Sequence, residues 1–272
     1  MSTIWLIASG TFGEAMRRKV LLIFLFAGLA IILMGVAFAG LATQARDLTV
    51  TKSLGFGVIS LAGVFISVIL YITLIPQEIE RRTIYSILSK PVQRYQFLCG
   101  KYLGGLMTVL LNIALMGVVF ILLVAGKQYF QYGISPWPTV VALSKGILMI
   151  FFQMTLLGAV AMFFSVFLSP FVNFFLTFAV WLLGNVSPIT EGLADPTSDP
   201  SHPKNIFVVD IFKVLHVVIP NFDNFNILNP IINPHEHITN EPVYIAWNIL
   251  YAIIYSGILL TIGSLIFDKR EV

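Results

Sequence analysis

A chain of 272 residues that is 58% hydrophobic and only 11% charged departs far from a soluble domain, which carries roughly 25% charged and about 45–50% apolar residues. One core cannot hide that much apolar surface, so lipid is the expected solvent. A formal charge of +3 is no argument for a nucleic-acid partner, and the single cysteine, Cys99, excludes an internal disulfide framework and a cysteine-based zinc site.

Residues 2–18, STIWLIASGTFGEAMRR, place Trp5, Ala8, Phe12 and Ala15 at helical spacing, with Ser9, Gly13, Glu14 and Arg17 on the other face. The pattern predicts an interfacial helix within 1–19, with Trp5, Arg17 and Arg18 as interfacial anchors. A membrane crossing needs roughly 20 mostly apolar residues to cover about 30 Å of hydrocarbon. Residues 20–41, 54–75 and 102–125 meet that need. Arg17-Arg18-Lys19 followed by an apolar run and Ala37-Phe38-Ala39 mimics a secretory signal, but the preceding segment and the length of the run favour a retained span. Residues 146–190 carry no formal charge over 45 positions, about 67 Å as straight helix. That suits two crossings, and Ser169-Pro170 is the natural break, because proline cannot continue an upstream helix. The expected spans are therefore 140–168 and 171–186, and a sixth covers 243–267. The fold class is an all-α membrane protein with six transmembrane helices in one domain over 1–272.

An even number of spans puts both termini on one side. Arg17, Arg18, Lys19, Arg81, Arg82, Lys90, Arg94, Lys101, Lys269 and Arg270 then lie together, ten of the sixteen lysines and arginines, in short segments beside span ends. The positive-inside rule makes that side cytoplasmic. Lys145 falls in the fourth apolar region near its outer end, where it is expected to snorkel to the headgroups. Residues 187–242 form a polar outer loop with seven acidic and two basic residues. Within it 206–219 is too short to span and suits an interfacial or re-entrant helix, while 221–234, rich in Asn and Pro, reads as turns. A loop of this size suits a small cap over the bundle. His235-Glu236-His237 is the candidate metal pair. Its two imidazoles share a face only in an extended segment and no further ligand is fixed by spacing, so a polar loop without metal is expected.

Chemistry of its own is missing from the pattern. No GxxxxGK[ST] loop, HExxH or GxSxG elbow occurs. The expected spans carry almost no ionisable groups, which argues against an ion-coupled carrier or an intramembrane protease. Glycines such as Gly28, Gly35, Gly57, Gly63, Gly100, Gly104, Gly257 and Gly263 read as generic helix packing.

One block breaks the apolar pattern. Residues 76–101, between the second and third spans, hold Glu78, Glu80, Arg81, Arg82, Lys90, Arg94 and Lys101 beside apolar Ile84, Ile87, Leu88, Phe97 and Leu98, with a helix break at Ser89-Lys90-Pro91. Mixed charge next to an apolar face suits docking to a protein partner. A positive-inside loop that only sets topology accounts for the same residues.

The strings E-I-E-R-R-T, L-S-K-P-V-Q-R and F-L-C-G-K-Y-L closely resemble the loop between spans two and three of type-2 ABC transporter permeases. V-I-P-N-F-D-N-F-N resembles a segment that some members carry before their last span. The resemblance implies a single permease domain with an N-terminal interfacial helix, a cytoplasmic coupling helix between spans two and three, and short outer helices before span six. It places Glu78, Glu80, Arg81, Arg82, Thr83, Lys90, Pro91 and Arg94 in or beside the coupling helix, docked on a separate cytoplasmic ABC ATPase subunit that holds ATP and Mg. It further implies a non-enzymatic chain that binds no cofactor itself and pairs with a second permease chain, as homo- or heterodimer, in a bacterial inner membrane. The expected function is ATP-driven export of a lipid-like, amphipathic or polymeric substrate. The alternative is a force-transmitting complex acting on an envelope partner, with the 187–242 loop as the site for a periplasmic protein.

Overall fold

The computed structural model describes residues 3–39, 47–80, 93–186, 219–228, 231 and 240–269. Among these, all regular structure is helical: α1 (Thr3–Met16), α2 (Lys19–Ala39), α3 (Asp47–Leu74), α4 (Pro76–Glu80), α5 (Arg94–Tyr132), α6 (Trp137–Ser165), α7 (Pro170–Asn185), α8 (Glu241–Lys269), and one 3-10 turn at Asp223–Phe225. Five helices, α2, α3, α5, α6 and α8, are long and apolar enough to cross a membrane. α7 is apolar but has 16 residues, about 24 Å of helix against roughly 30 Å of hydrocarbon. The chain break in the long uncharged stretch falls at residues 166–169, with Pro170 in the first turn of α7. There its missing N–H costs nothing and its fixed φ suits the helix. Asn173 fastens the turn by donating from Nδ2 to the Ala161 carbonyl at 2.9 Å.

The centre of the bundle is α3 and α6. Two thirds of the apolar window of each (67%) is buried, against 22% for α2 and 17% for α8, which lie on the outside. α5 packs on both central helices, α8 on α6, α2 on α3, and α7 on α6 and α3. Lipid removes most of the hydrophobic drive between helices, so close approach and hydrogen bonds hold them together. Tyr71 on α3 shows how. Its ring is fully buried between Gly105 of α5 and Gly158 of α6. A methyl group at Gly105 would stand 2.6 Å from Tyr71 Cε1, and one at Gly158 would also overlap the ring. Tyr71 donates to the Tyr102 carbonyl at 3.1 Å, Tyr102 to the Thr155 carbonyl at 2.9 Å, and Ser67 to the Met154 carbonyl at 3.1 Å. Three bonds of about 0.6 kcal/mol each join α3, α5 and α6 by roughly 2 kcal/mol.

One end of the bundle holds residues 219–228. Residues 221–227 hold no regular element beyond the 3-10 turn, while Leu228 and Ile231 are helical, and the expectation of turns over 221–234 missed the burial of Phe222 and Phe225 inside the bundle. The turn has a three-residue period, so two aromatics three apart point the same way. Phe222 N–H donates to the Gly184 carbonyl at 3.0 Å, and Gln153 donates to the Phe222 carbonyl at 3.2 Å and to Asn185 at 3.1 Å. We call this the plug end. Asp47 there accepts a 2.6 Å ion pair from Lys127. Lys145 pairs with Glu241 at 2.7 Å, where snorkelling had been expected. The opposite end carries α1, α4 and the start of α5.

Candidate functional site

The charged block enters this second end from α4 and leaves it into α5. Residues 81–92 lie outside the described part of the structure, and so do Arg81, Arg82, Thr83, Lys90 and Pro91. The same holds for the Glu80 side chain, for His235 and His237, and for residues 206–218 of the expected helix at 206–219. The two roots of the block, Glu78 and Arg94, are described. Pro76 opens α4 directly after α3, so the chain turns without leaving the helix end. α5 starts at Arg94 from an extended Gln93, whose N–H is accepted by Gln96 Oε1 at 3.4 Å. α5 then runs 39 residues, about 58 Å, nearly twice the hydrocarbon thickness. One or both of its ends must therefore project beyond the hydrocarbon.

Both roots are tied into the bundle. Glu78 Oε1 pairs with Lys101 Nζ at 2.5 Å, with side chains 16% and 6% exposed. That bond fixes α4 to the second turn of α5. Arg94 Nη1 donates to the Phe267 carbonyl at 2.5 Å, and its guanidinium lies 5.5 Å from the centroid of the Phe267 ring. Phe97 stacks on the same ring at 6.4 Å. The final turns of α8 are thereby fastened to the first turn of α5. Arg18 donates to Thr73 at 2.6 Å and to Glu14 at 3.2 Å, which ties the α1–α2 elbow to the last turn of α3. Together these bonds make a polar collar around the roots of 81–92, joining α3, α4, α5, α8 and the elbow. Glu78 and Arg94 thus serve the collar with their side chains, whatever their neighbours in 81–92 contact.

α1 completes the collar. It lies along the base of α5, with Ala8, Thr11 and Ala15 buried. Trp5, assigned to the same face as Ala8, is 47% exposed beside exposed Leu6. The buried stripe meets α5 where it offers two glycines one turn apart. A Cβ at Gly104 would sit 2.5 Å from the Ala8 carbonyl oxygen and 2.6 Å from Thr11 Cβ. A Cβ at Gly100 would sit 2.7 Å from Ile7 Cβ and 3.0 Å from the Ile4 carbonyl oxygen. Gly100 and Gly104 are therefore the seat of α1, a specific role that the generic reading of membrane glycines missed. Their G-x-x-x-G spacing was the available signal. Gly57 and Gly257, by contrast, face open space. Among the described residues, no group of three or more His, Cys, Asp or Glu could hold a metal.

Among the described residues, an all-helical bundle with five membrane-length helices and a polar collar at one end defines a class: a polytopic membrane protein. Residues 5–272 match the sequence model of the ABC-2 family transporter proteins. The match spans nearly the whole chain, and the protein belongs to that family as a membrane component of an ABC transporter. No curated protein gives a match.

Proposed function

We propose that this chain is the non-catalytic permease subunit of an ATP-driven exporter, with segment 81–92 as its input. The observation that supports this most is the anchoring of both roots, Glu78 to Lys101 and Arg94 to Phe267. A push on 81–92 reaches α3 through α4, and reaches α5 and α8 directly, so a local contact can tilt several spans together. A separate ATPase binding ATP and Mg supplies the push, through Arg81, Arg82, Thr83, Lys90 and Pro91 with Glu80 beside them. Nucleotide biases two arrangements of the bundle only by contacting them differently.

In this reading the collar end faces the cytoplasm of a bacterial cell, in accord with its cations. Trp5, Arg17 and Arg18 sit at the inner leaflet. α7 makes the fifth of six crossings, its short apolar length met by local thinning of the bilayer. Two permease chains pair, each over one ATPase. The cargo is lipid-like or amphipathic, because the described spans present apolar rather than charged surfaces, such as Phe171, Phe175, Ile254 and Ile258. The test is charge reversal at both Arg81 and Arg82 in the purified complex. The expected result is ATP hydrolysis that no longer drives cargo movement, with the fold intact. Unchanged coupling would remove 81–92 from the input.

A further inference from the structure

Beside the collar, the α1–α2 elbow and the last turns of α3 border an open pocket of about 420 Å³. Its walls are of two kinds. Glu14, Arg17, Arg18, Lys19, Thr73 and Gln77 make a polar rim. Val20, Leu21, Ile69 and Leu70 make an apolar wall. Among the described residues the rim carries three cations against one carboxylate, an excess of two positive charges. Arg18 is fixed in place by Thr73 at 2.6 Å and Glu14 at 3.2 Å. A guanidinium has five N–H donors in a rigid fork, so it can hold these partners and still address a phosphate. Arg17 and Lys19 are exposed at the mouth.

The level of the pocket narrows the choice of occupant. α2 begins its apolar run at Lys19, and Arg18 beside it is bonded to Thr73 in the last turn of α3, so the two helix ends lie side by side. The cations therefore lie where two membrane-length helices leave hydrocarbon, which is the phosphate layer of a bilayer. Directly below them α2 exposes Val20 and Ile23, an apolar strip on which acyl chains can lie. A soluble anion would use the rim alone. A phospholipid uses both the rim and the wall.

We propose that this pocket binds the headgroup of an anionic phospholipid, with its acyl chains along α2. The site then sets the seat of the elbow, through Arg18 and Thr73, next to the input segment. It rests on the reading that the collar end lies at a membrane surface, and it adds a ligand to that reading. Each lysine or arginine near an anionic surface contributes roughly a fivefold preference.

The test is native mass spectrometry of the detergent-purified permease with its co-expressed ATPase, titrated with phosphatidylglycerol or phosphatidylcholine. The wild type should prefer phosphatidylglycerol by about 25-fold, for two uncompensated cations. Arg17→Gln should lower that preference about fivefold, and Arg17→Gln with Lys19→Gln should abolish it. Both changes leave Arg18 and its fold contacts in place. Lys145→Gln, at the plug end, should leave the preference unchanged. Equal binding of the two lipids by the wild type, or an equal loss in Lys145→Gln, would overturn the site. Displacement of phosphatidylglycerol by millimolar inorganic phosphate would assign the rim to free phosphate and overturn the lipid proposal. ATPase retained in a preparation without lipid preference would refute the lipid site alone. Loss of the ATPase with lipid preference intact would refute the coupling reading alone.

Discussion

Replacing Gly104 by alanine adds one methyl group, and the structure gives it nowhere to go. Its Cβ would lie 2.5 Å from the Ala8 carbonyl oxygen and 2.6 Å from Thr11 Cβ. The first neighbour is backbone, so no side-chain rotation relieves the clash, and α1 must move off α5 by most of an ångström. A gap of that size forfeits about a quarter to a half of the dispersion energy along the contact. Overpacking of this kind costs about 1–3 kcal/mol. The same exchange at Gly10 or Gly13, which face open space on α1, should stabilise by about 0.5–1 kcal/mol, because alanine is the better helix former. The sign of the effect therefore depends on the packing and not on the residue type. Thermal unfolding in detergent should fall for Gly104→Ala by roughly 2–4 °C per kcal/mol lost, and should rise slightly for Gly10→Ala. Limited trypsinolysis after Arg17 and Arg18 should quicken in Gly104→Ala, since lifting α1 strains the elbow. If Gly104→Ala proves as harmless as Gly10→Ala, α1 is not seated on α5 and the collar is drawn wrongly.

The ion pairs divide by burial. Glu78→Gln removes the carboxylate from Lys101, which stays charged and 6% exposed, and should cost about 3 kcal/mol, while adding Lys101→Met should recover most of it. Lys145→Ala breaks a pair whose side chains are each 37% exposed, and unfolding should detect less than about 1 kcal/mol. At the bundle centre, Tyr71→Phe should cost only its hydrogen bond to Tyr102, about 0.6 kcal/mol. Tyr71→Ala should cost about 3–5 kcal/mol by emptying the slot between Gly105 and Gly158.

Much of the helix plan was readable from runs of apolar residues, because a bilayer demands long ones. Pro170 marked the turn after α6 by its chemistry. What the pattern hid depends on pairing in space. α3 begins at Asp47 rather than near residue 54, because Lys127 and Tyr132 of α5 supply partners for its carboxylate. Spacing marked the apolar positions of α1 but not which of them meet protein, and the glycine pair on α5 selects the face of Ala8 and Thr11. Burial of Phe222 and Phe225 was masked by the asparagines and prolines around them, although a three-residue aromatic spacing was there to be read. At the candidate site, the charges of residues 76–101 were evident in one dimension. The service of Glu78 and Arg94 to Lys101 and Phe267 was not, since Phe267 is 173 positions from Arg94.

The claim on which the account turns is that segment 81–92 touches a nucleotide-hydrolysing partner. A photoreactive amino acid at Thr83 or Tyr85, activated in intact membranes with and without ATP, tests it most directly. The expected result is an adduct with a subunit that carries a nucleotide-binding phosphate loop, with a yield that changes when ATP is bound. Adducts confined to lipid, or to the permease itself under both conditions, would contradict it.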